Sequence, residues 1–316
     1  MEQAVVEIAH SSPLRTDLCP LCSQRLKVRF SSVPSPETGE IFSIWQCPQC
    51  RLGQTRPVPA DLTQYYKTEY RGNRHGFTSE HCVRRRLRWV HKVAGQRKRM
   101  KLLDIGCGEG TFLSAARQAG HEVAGTELEP AAARAQDLRV AGSLSELAHE
   151  VATYDCITFW HSLEHMPNPV ESLQQAVSLL KPGGILLVAV PDAGGWQARV
   201  FGDAWLHLDI PRHLYHFNKT SLERLLQGAG LKVISFWHQE FEYDLLGWSQ
   251  STLNKTFRSK NVFFDVLRGK AEGHSFLKKT IHSIAGMVTG ALAVPLVPVG
   301  AACGQGGTLV VAAAKS

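Results

Sequence analysis

The stretch Leu102-Leu103-Asp104-Ile105-Gly106-Cys107-Gly108-Glu109-Gly110-Thr111 constrains this chain more than any other. A short apolar run passes into alternate glycines and then into a helical pattern. It therefore reads as a strand that turns tightly into a helix, with backbone able to approach a ligand closely. Such turns sit at the carboxyl ends of strands in open, mostly parallel sheets. The rest of the second half repeats the alternation. Lys101–Ile105, His121–Glu127, Tyr154–Trp160 and Gly184–Val190 read as buried strands, Arg139–Leu144 as a third, weaker one, and Leu231–Trp237 with Thr308–Ala314 as the last two. Helical punctuation lies between them. Asn168-Pro169-Val170-Glu171 supplies an N-cap and a first-turn proline, Lys181-Pro182-Gly183-Gly184 a stop, and Thr220-Ser221-Leu222-Glu223 a capping box ended by Gly228 and Gly230. The expected class is α/β, a Rossmann-like mostly parallel sheet with helices on both faces, spanning 101–316.

Ahead of it, Cys19-Pro-Leu-Cys22 and Cys47-Pro-Gln-Cys50 form two matched knuckles separated by 24 residues. Two such knuckles aim four thiolates at one point, a closed all-sulfur tetrahedral site that suits structural Zn2+. Strand-like Leu26–Phe30 and Ile41–Trp45 flank a Pro34/Pro36/Gly39 turn, so 1–60 reads as a small zinc ribbon. A redox pair is disfavoured because no strand–helix unit adjoins either knuckle. With 44% apolar and 20% charged residues over 316, the chain is neither disordered nor collagen-like, and needs no disulfide staples. Met1–Ser12 lacks a basic segment followed by an apolar run. The expectation is therefore a cytoplasmic, reducing location, with peripheral attachment at the inner membrane face as a variant of it.

A helical, basic bridge covers 61–100. It opens with Tyr65, Tyr66 and Tyr70 and continues as a helix over Cys82–Val93 with Val83, Leu87 and Val90 on one face. Of the net charge of +7, residues 83–101 alone carry nine positive charges (Arg84, Arg85, Arg86, Arg88, Lys92, Arg97, Lys98, Arg99, Lys101) and no acid. A solvated helix face is the plain reading; binding to RNA or to an anionic membrane is the other.

An insertion at about 240–307 separates the last two strands. No Lys, Arg, Asp or Glu occurs from Thr280 to Ala314. As a helix Ile281–Val294 would span about 21 Å, short of a ~30 Å hydrocarbon layer, and Pro295 and Pro298 then break it. Four readings stand: a membrane-surface foot over 278–303 with Arg268, Lys270, Lys278 and Lys279 at the headgroups, a lid, a homodimer face, or a helix in the domain core.

A dinucleotide turn would place its third glycine at 111, where Thr111 stands; glycines at 106, 108 and 110 suit a ligand without a pyrophosphate. Glu127, ending the second strand, can accept hydrogen bonds from both ribose hydroxyls of an adenosine. Residues 101–239 resemble class I S-adenosylmethionine-dependent methyltransferases, close to the group that contains the ubiquinone-biosynthesis O-methyltransferases. The residues that carry the likeness are Asp104–Gly110, Gly125-Thr126-Glu127, His161-Ser162-Leu163-Glu164-His165, Leu180–Gly184 and Pro211–Phe217. The resemblance implies that Asp104 positions the methionine amino group and that Gly106, Cys107, Gly108 and Gly110 wrap the cofactor. It further implies Glu127 on the ribose, Leu128 under the adenine, and Trp160 and His161 beside the methionine end. The third strand lacks the acid that meets the adenine amine in this group, leaving Ser143 or Leu144 there. The cysteine knuckles and tyrosine bridge also resemble sugar C-methyltransferases, in which a zinc module helps to cover the acceptor; the longer C-terminal domain of that group is not visible.

Methyl transfer to a hydroxyl needs proximity and a base. The candidates are His165 and His213, then His161 and His216, with Tyr215 and Asp209 as outsiders. The plain alternative is that Glu164 and His165 cap the Asn168 helix and that His213 or His216 packs. Cys107 reads as a small residue in a tight turn. The leading expectation is O-methylation of a small or lipid-linked acceptor. The alternatives are a sugar C-methyltransferase, an RNA methyltransferase and a non-catalytic zinc-ribbon interaction protein. RNA base-amine methylation is disfavoured by Trp160-His161-Ser162-Leu163, which stands where an Asn/Asp-Pro-Pro-Tyr/Phe motif would.

Overall fold

The computed structural model describes residues 17–66, 78–95, 97, 99–238 and 240–316. Met1–Ser12, Tyr70 and Lys98 lie outside the described residues. Three strands come first, β1 (Lys27–Pro34), β2 (Ile41–Gln46) and β3 (Gly53–Arg56), followed by helix α1 (Ser79–Ala94). The alternating region runs β4 (Lys101–Ile105), α2 (Thr111–Gln118), β5 (Glu122–Thr126), α3 (Ala131–Arg134), β6 (Val140–Ala141), β7 (Tyr154–Trp160), α4 (Pro169–Leu179) and β8 (Leu180–Pro191). It continues with α5 (Trp196–Phe201), β9 (Tyr215–His216), α6 (Lys219–Gly228) and β10 (Leu231–Trp237). Helices α7 (Phe241–Phe257), α8 (Val262–Leu267), α9 (Phe276–Ala293) and α10 (Leu296–Ala302) precede the final β11 (Thr308–Lys315).

Seven strands form the main sheet in the order β10-β11-β8-β7-β4-β5-β6. Among the described residues only β11 runs against the others. Successive side chains on a strand point to opposite faces, and the core divides accordingly. Leu103, Ile105, Ile157, Phe159, Leu186 and Val188 pack with Leu173 and Ala176 of α4 and Leu222 and Leu225 of α6. Leu102, Cys156, Leu187 and Val310 pack with Trp89 and Val90 of α1 and Phe112, Leu113 and Ala116 of α2. Helices therefore cover both faces, as the strand–helix alternation requires.

Several boundaries move. The third strand shrinks to Val140–Ala141. α4 ends at Leu179, directly before Lys181–Gly184, but that segment already belongs to β8, which begins at Leu180; the pairing to β7 jumps from Tyr154↔Leu180 to Cys156↔Ile185, a bulge that Gly183 permits with φ +68°. The capping box of α6 lies two residues earlier than expected: Asn218 accepts from Ser221 N at 3.1 Å and Ser221 Oγ accepts from Asn218 N at 3.0 Å. Glu164 and His165 do not cap α4, whose N-cap is Asn168.

The ribbon is joined to the larger domain by a sheet. In a second sheet of order β1-β2-β3-β9, Gly53 pairs with His216 and Gln54 with Tyr215. A Cβ on Gly53 would lie 2.9 Å from that of His216, so only glycine lets the strands meet. Thr55 Oγ1 donates to His213 O at 2.6 Å, and Asn218 Nδ2 donates to Arg51 O at 2.9 Å.

Two expectations are corrected here. The Arg-rich helix is not simply a solvated face: Arg84 and Arg88 are exposed, but Arg85 and Arg86 are buried against Glu240. Nor is α9 a core helix. It buries only His282, Gly286 and Ala293, and turns most of its large apolar side chains outward. No single helix among the described residues is long and apolar enough to cross a membrane.

Candidate active site

The glycine turn is tied to β5 by Gly106 N and Cys107 N, which both donate to Thr126 O at 2.8 and 3.0 Å. Its geometry requires glycine. At Gly106 (φ +75°) a Cβ would stand 2.5 Å from Ser162 Cβ, and at Gly110 (φ +81°) 2.3 Å from Leu138 Cδ1. Gly108, by contrast, has nothing within 4 Å of a Cβ position, so the cradle is open there. Glu127 spans its mouth, accepting from Gly108 N at 2.8 Å and Leu128 N at 3.0 Å. Leu128 is 83% exposed, an apolar surface that a purine ring would cover. Cys107 is buried, and burial pushes its thiol up, out of the range of a nucleophile. These features fit an adenosine-bearing cofactor.

Next to the glycine turn lies a buried charged cluster. Asp104 is buried and accepts from Thr158 Oγ1 at 2.6 Å. Burial pushes its carboxyl up to about 7, against the opposing pull of that hydrogen bond and of the Arg86 guanidinium. Arg86 stacks over Trp160 with its carbon 5.1 Å from the ring centroid and lies 3.6 Å from Glu240. Its Nε and Nη2, like Trp160 Nε1, are buried without a hydrogen-bond partner. Unmet buried donors are costly, and a ligand carboxylate would satisfy those of Arg86. The residues present thus fit an amino acid end: Asp104 for the ammonium, Arg86 for the carboxylate. Because the ammonium needs the ionised form of Asp104, affinity for S-adenosylhomocysteine should fall as pH drops through about 7, by at most about tenfold per pH unit. Calorimetric titration from pH 8 to 6 checks this; Asp104→Asn should bind weakly with no such slope, and a flat profile for the natural protein would remove Asp104 from this role.

After the third strand, Glu146 Oε1 accepts from Gly142 N at 3.1 Å, beside Ser143 and Leu144.

The four expected histidines separate into different environments. His161 sits on a left-handed backbone (φ +53°), stacked on Tyr243 with centroids 4.4 Å apart and hydrogen-bonded through Nε2 to Glu240. Burial favours its neutral form, but the charge of Glu240 prevails and raises its pKa. Its Nε2 is taken by Glu240, and its Nδ1 lies 3.7 Å from Glu164 Oε1. His216 Nε2 lies 2.9 Å from Thr55 Oγ1 at the ribbon junction, and burial pulls its pKa down to about 3; this residue packs. His165 and His213 come together, with ring centroids 4.6 Å apart. His165 Nδ1 lies 2.9 Å from Tyr66 Oη and 3.0 Å from Arg212 O. His213 Nδ1 lies 2.9 Å from His207 O, which can only accept, so this nitrogen carries the proton and Nε2 the lone pair. Nε2 faces Asp209 at 3.7 Å and Glu164 at 3.9 Å. Burial and the neighbouring His165 pull the His213 pKa down to about 4, so it is neutral near neutral pH. Both oxygens of Glu164 are buried without hydrogen-bond partners. Glu164, His165 and His213 offer atoms within 4.8 Å of one another, close enough to share a cation. Tyr215 and Asp209 frame the group: Tyr215 is buried with Oη donating to Pro167 O, and Asp209 is held low by Arg212 although burial opposes it.

Spacing along α1 carried an unread signal for Arg86, which stands four residues after Cys82 and three before Trp89, on the buried face. Glu240 and Tyr243 had none, because they lie beyond the matched motifs at the start of the insertion.

At the ribbon, Cys19 Sγ and Cys50 Sγ are 3.5 Å apart, and those of Cys22 and Cys47 3.4 Å. All four sulfurs lie within 4.8 Å. A disulfide would need about 2.05 Å, whereas sulfurs around zinc at ~2.3 Å bonds are about 3.8 Å apart. Ser23 (φ +56°) and Arg51 (φ +61°), each directly after its pair, give the two knuckles the same backbone turn. The donor set fits structural zinc.

Residues 74–236 match the family model described as a methyltransferase domain. Among curated proteins, a ubiquinone biosynthesis O-methyltransferase from Bordetella avium is 34% identical over 164 residues, 46% of this chain and 68% of that protein. One from Cupriavidus pinatubonensis is 28% identical over 166 residues, 47% and 66% respectively. The chain thus spans about two thirds of the length of these relatives. A S-adenosylmethionine-dependent methyltransferase structure from Archaeoglobus fulgidus aligns at 18% identity over 81% of this chain and 100% of that one, with a TM-score of 0.47, too distant to carry a conclusion.

Proposed function

Since the chain belongs to the S-adenosylmethionine-dependent methyltransferase-domain family, we propose that it methylates a hydroxyl of a small or lipid-linked acceptor, with His213 as general base. The observation that carries this reading is the tautomer of His213: Nδ1 is committed to His207 O, and Nε2 keeps its lone pair beside two carboxylates. When bound, S-adenosylmethionine supplies an activated methyl group on a sulfonium. Asp104 and Arg86 would hold its amino acid end, Glu127 its ribose, and Leu128 and Gly108 the adenosine. The acceptor hydroxyl gives its proton to His213 Nε2 as the oxygen attacks. Asp209 and Glu164, both within 4 Å of that nitrogen, stabilise the imidazolium that results. The four cysteines hold structural zinc and take no part in the transfer.

A sugar C-methyltransferase is the second reading, favoured by the contact of Tyr66 with His165 beside a ribbon stitched to the acceptor loop. RNA methylation loses ground, because Arg85 is spent on Glu240 and Glu242 and Arg86 is buried, so neither is displayed for phosphate. The test is a partition experiment with methyl-labelled S-adenosylmethionine and cell extract. Label in the organic phase that survives alkali, as a methyl ether does, is the expected result. Label in the small aqueous fraction would favour the sugar reading, and label in RNA would overturn both.

A further inference from the structure

We propose that α9 and α10 form a docking surface for an anionic bilayer. The inference goes beyond the reaction assigned above and does not depend on it. Leu277, Ile281, Ile284, Val288 and Leu292 recur every three or four residues, so they share one face of α9. All five are exposed, Leu292 by 71%, and Phe276 (84%) and Met287 extend the strip sideways. Leu296 and Val299 of α10 are exposed as well, beyond a 45° bend. Exposed apolar surface of this extent marks an interaction site in a folded protein.

The opposite face of α9 is fixed to the body of the protein. Ser249 Oγ on α7 donates to Gly286 O at 2.7 Å, and a Cβ on Gly286 would lie 2.5 Å from the Phe263 ring. The greasy strip is thus held outward by packing behind it. It is not a helix awaiting its place in the core.

Charge selects the occupant. Around the first turns of α9 stand Arg258, Arg268, Lys270, Lys278 and Lys279, against Asp265 and Glu272, and from Gly273 to the last residue there is no acid. A second copy of the chain would bring the same excess of cations, five against Asp265 and Glu272, to face these. An anionic bilayer offers both partners at once, headgroups for the lysines and acyl chains for the strip. At 18 residues α9 is about 27 Å long, short of a ~30 Å hydrocarbon layer, and it reaches a span's length only together with α10 across the 45° bend; the proposed docking lies in the surface. Its neighbour α7 begins with Tyr243 over His161, which places the docked face one helix from the cofactor site.

Co-sedimentation tests the proposal with the full chain and vesicles of phosphatidylcholine containing about a third phosphatidylglycerol. The natural protein should sediment with them, and roughly tenfold less with phosphatidylcholine alone. Ile284→Glu with Val288→Glu should weaken binding roughly tenfold or more while leaving S-adenosylhomocysteine affinity intact, which shows that the variant is folded. Lys278→Glu with Lys279→Glu should remove the preference for anionic vesicles. The proposal is overturned if the natural protein stays in the supernatant, if the glutamate variant binds as well, or if size-exclusion chromatography shows a dimer that this variant dissolves without any vesicle binding. Vesicle binding needs no acceptor, so its failure and that of the methyl-transfer reading are read separately.

Discussion

Replacing His213 by Gln should lower the rate of methyl transfer by about 10²- to 10⁴-fold, the usual worth of a positioned base, with S-adenosylhomocysteine affinity within a few-fold of natural. Glutamine fills the site and can still donate to His207 O, so the loop 209–217 keeps its anchor. What it lacks is an acceptor of a proton. His216→Gln is the control: it acts at the contact with Thr55, and its effect should appear as lost stability more than as lost rate. The pH profile gives a second check. A histidine whose folded pKa is lowered to about 4 remains in its base form down to that pH, so the acidic limb that it contributes to kcat/KM lies near 4 and not near 6.5. A His213→Gln enzyme with nearly natural rate would transfer the role to His165 and Tyr66.

Removing the ribbon's metal should have the larger structural effect. In Cys19→Ser with Cys47→Ser, the zinc content should fall from about one per chain to none, as measured by atomic emission. Structural zinc contributes about 10–16 kcal/mol to small metal-folded modules near neutral pH, more than the few apolar contacts of Leu26 and Leu52 can replace. The damage should spread along one route. Once β3 is lost, β9 has no partner, Thr55 no longer holds His213 O, and Asn218 loses Cys50 O and Arg51 O. The glycine turn has no such link, being tied to β5. The variant should therefore bind S-adenosylhomocysteine with affinity changed by no more than a few-fold and yet lose methyl transfer by about 100-fold or more. A full metal count would refute the ligand set, and unimpaired transfer would refute the coupling of ribbon to acceptor loop.

The sheet was legible in the sequence where local patterns were strong. Lys101–Ile105, Tyr154–Trp160 and Leu231–Trp237 fall at the expected bounds because each is a short, mostly apolar run set off by turn residues. The cradle was legible too, since only glycine meets the backbone angles at 106 and 110. Legibility failed where a residue's role depends on a distant partner. Nothing local marks Gly53 or His216 as strand neighbours 163 residues apart. Arg85 and Arg86 read as solvent-facing because the acids that bury them, Glu240 and Glu242, lie over 150 residues later. The four histidines are told apart by the carbonyl, hydroxyl or carboxylate that each ring meets, which a sequence does not display.

The hairpin of β10 and β11 carries a consequence for how such proteins diversify. Trp237 pairs with Val310, so everything between them leaves and re-enters the sheet across a single rung. Exchanging one long excursion for another at fixed ends is cheap in chain entropy, about 0.6 kcal/mol for each doubling of length. The family match stops at residue 236, just before that gate. What lies behind that gate is nevertheless bound to the matched half, because Glu240 is the buried partner of Arg85, Arg86 and His161, so any other excursion there must bring a carboxylate to the same place.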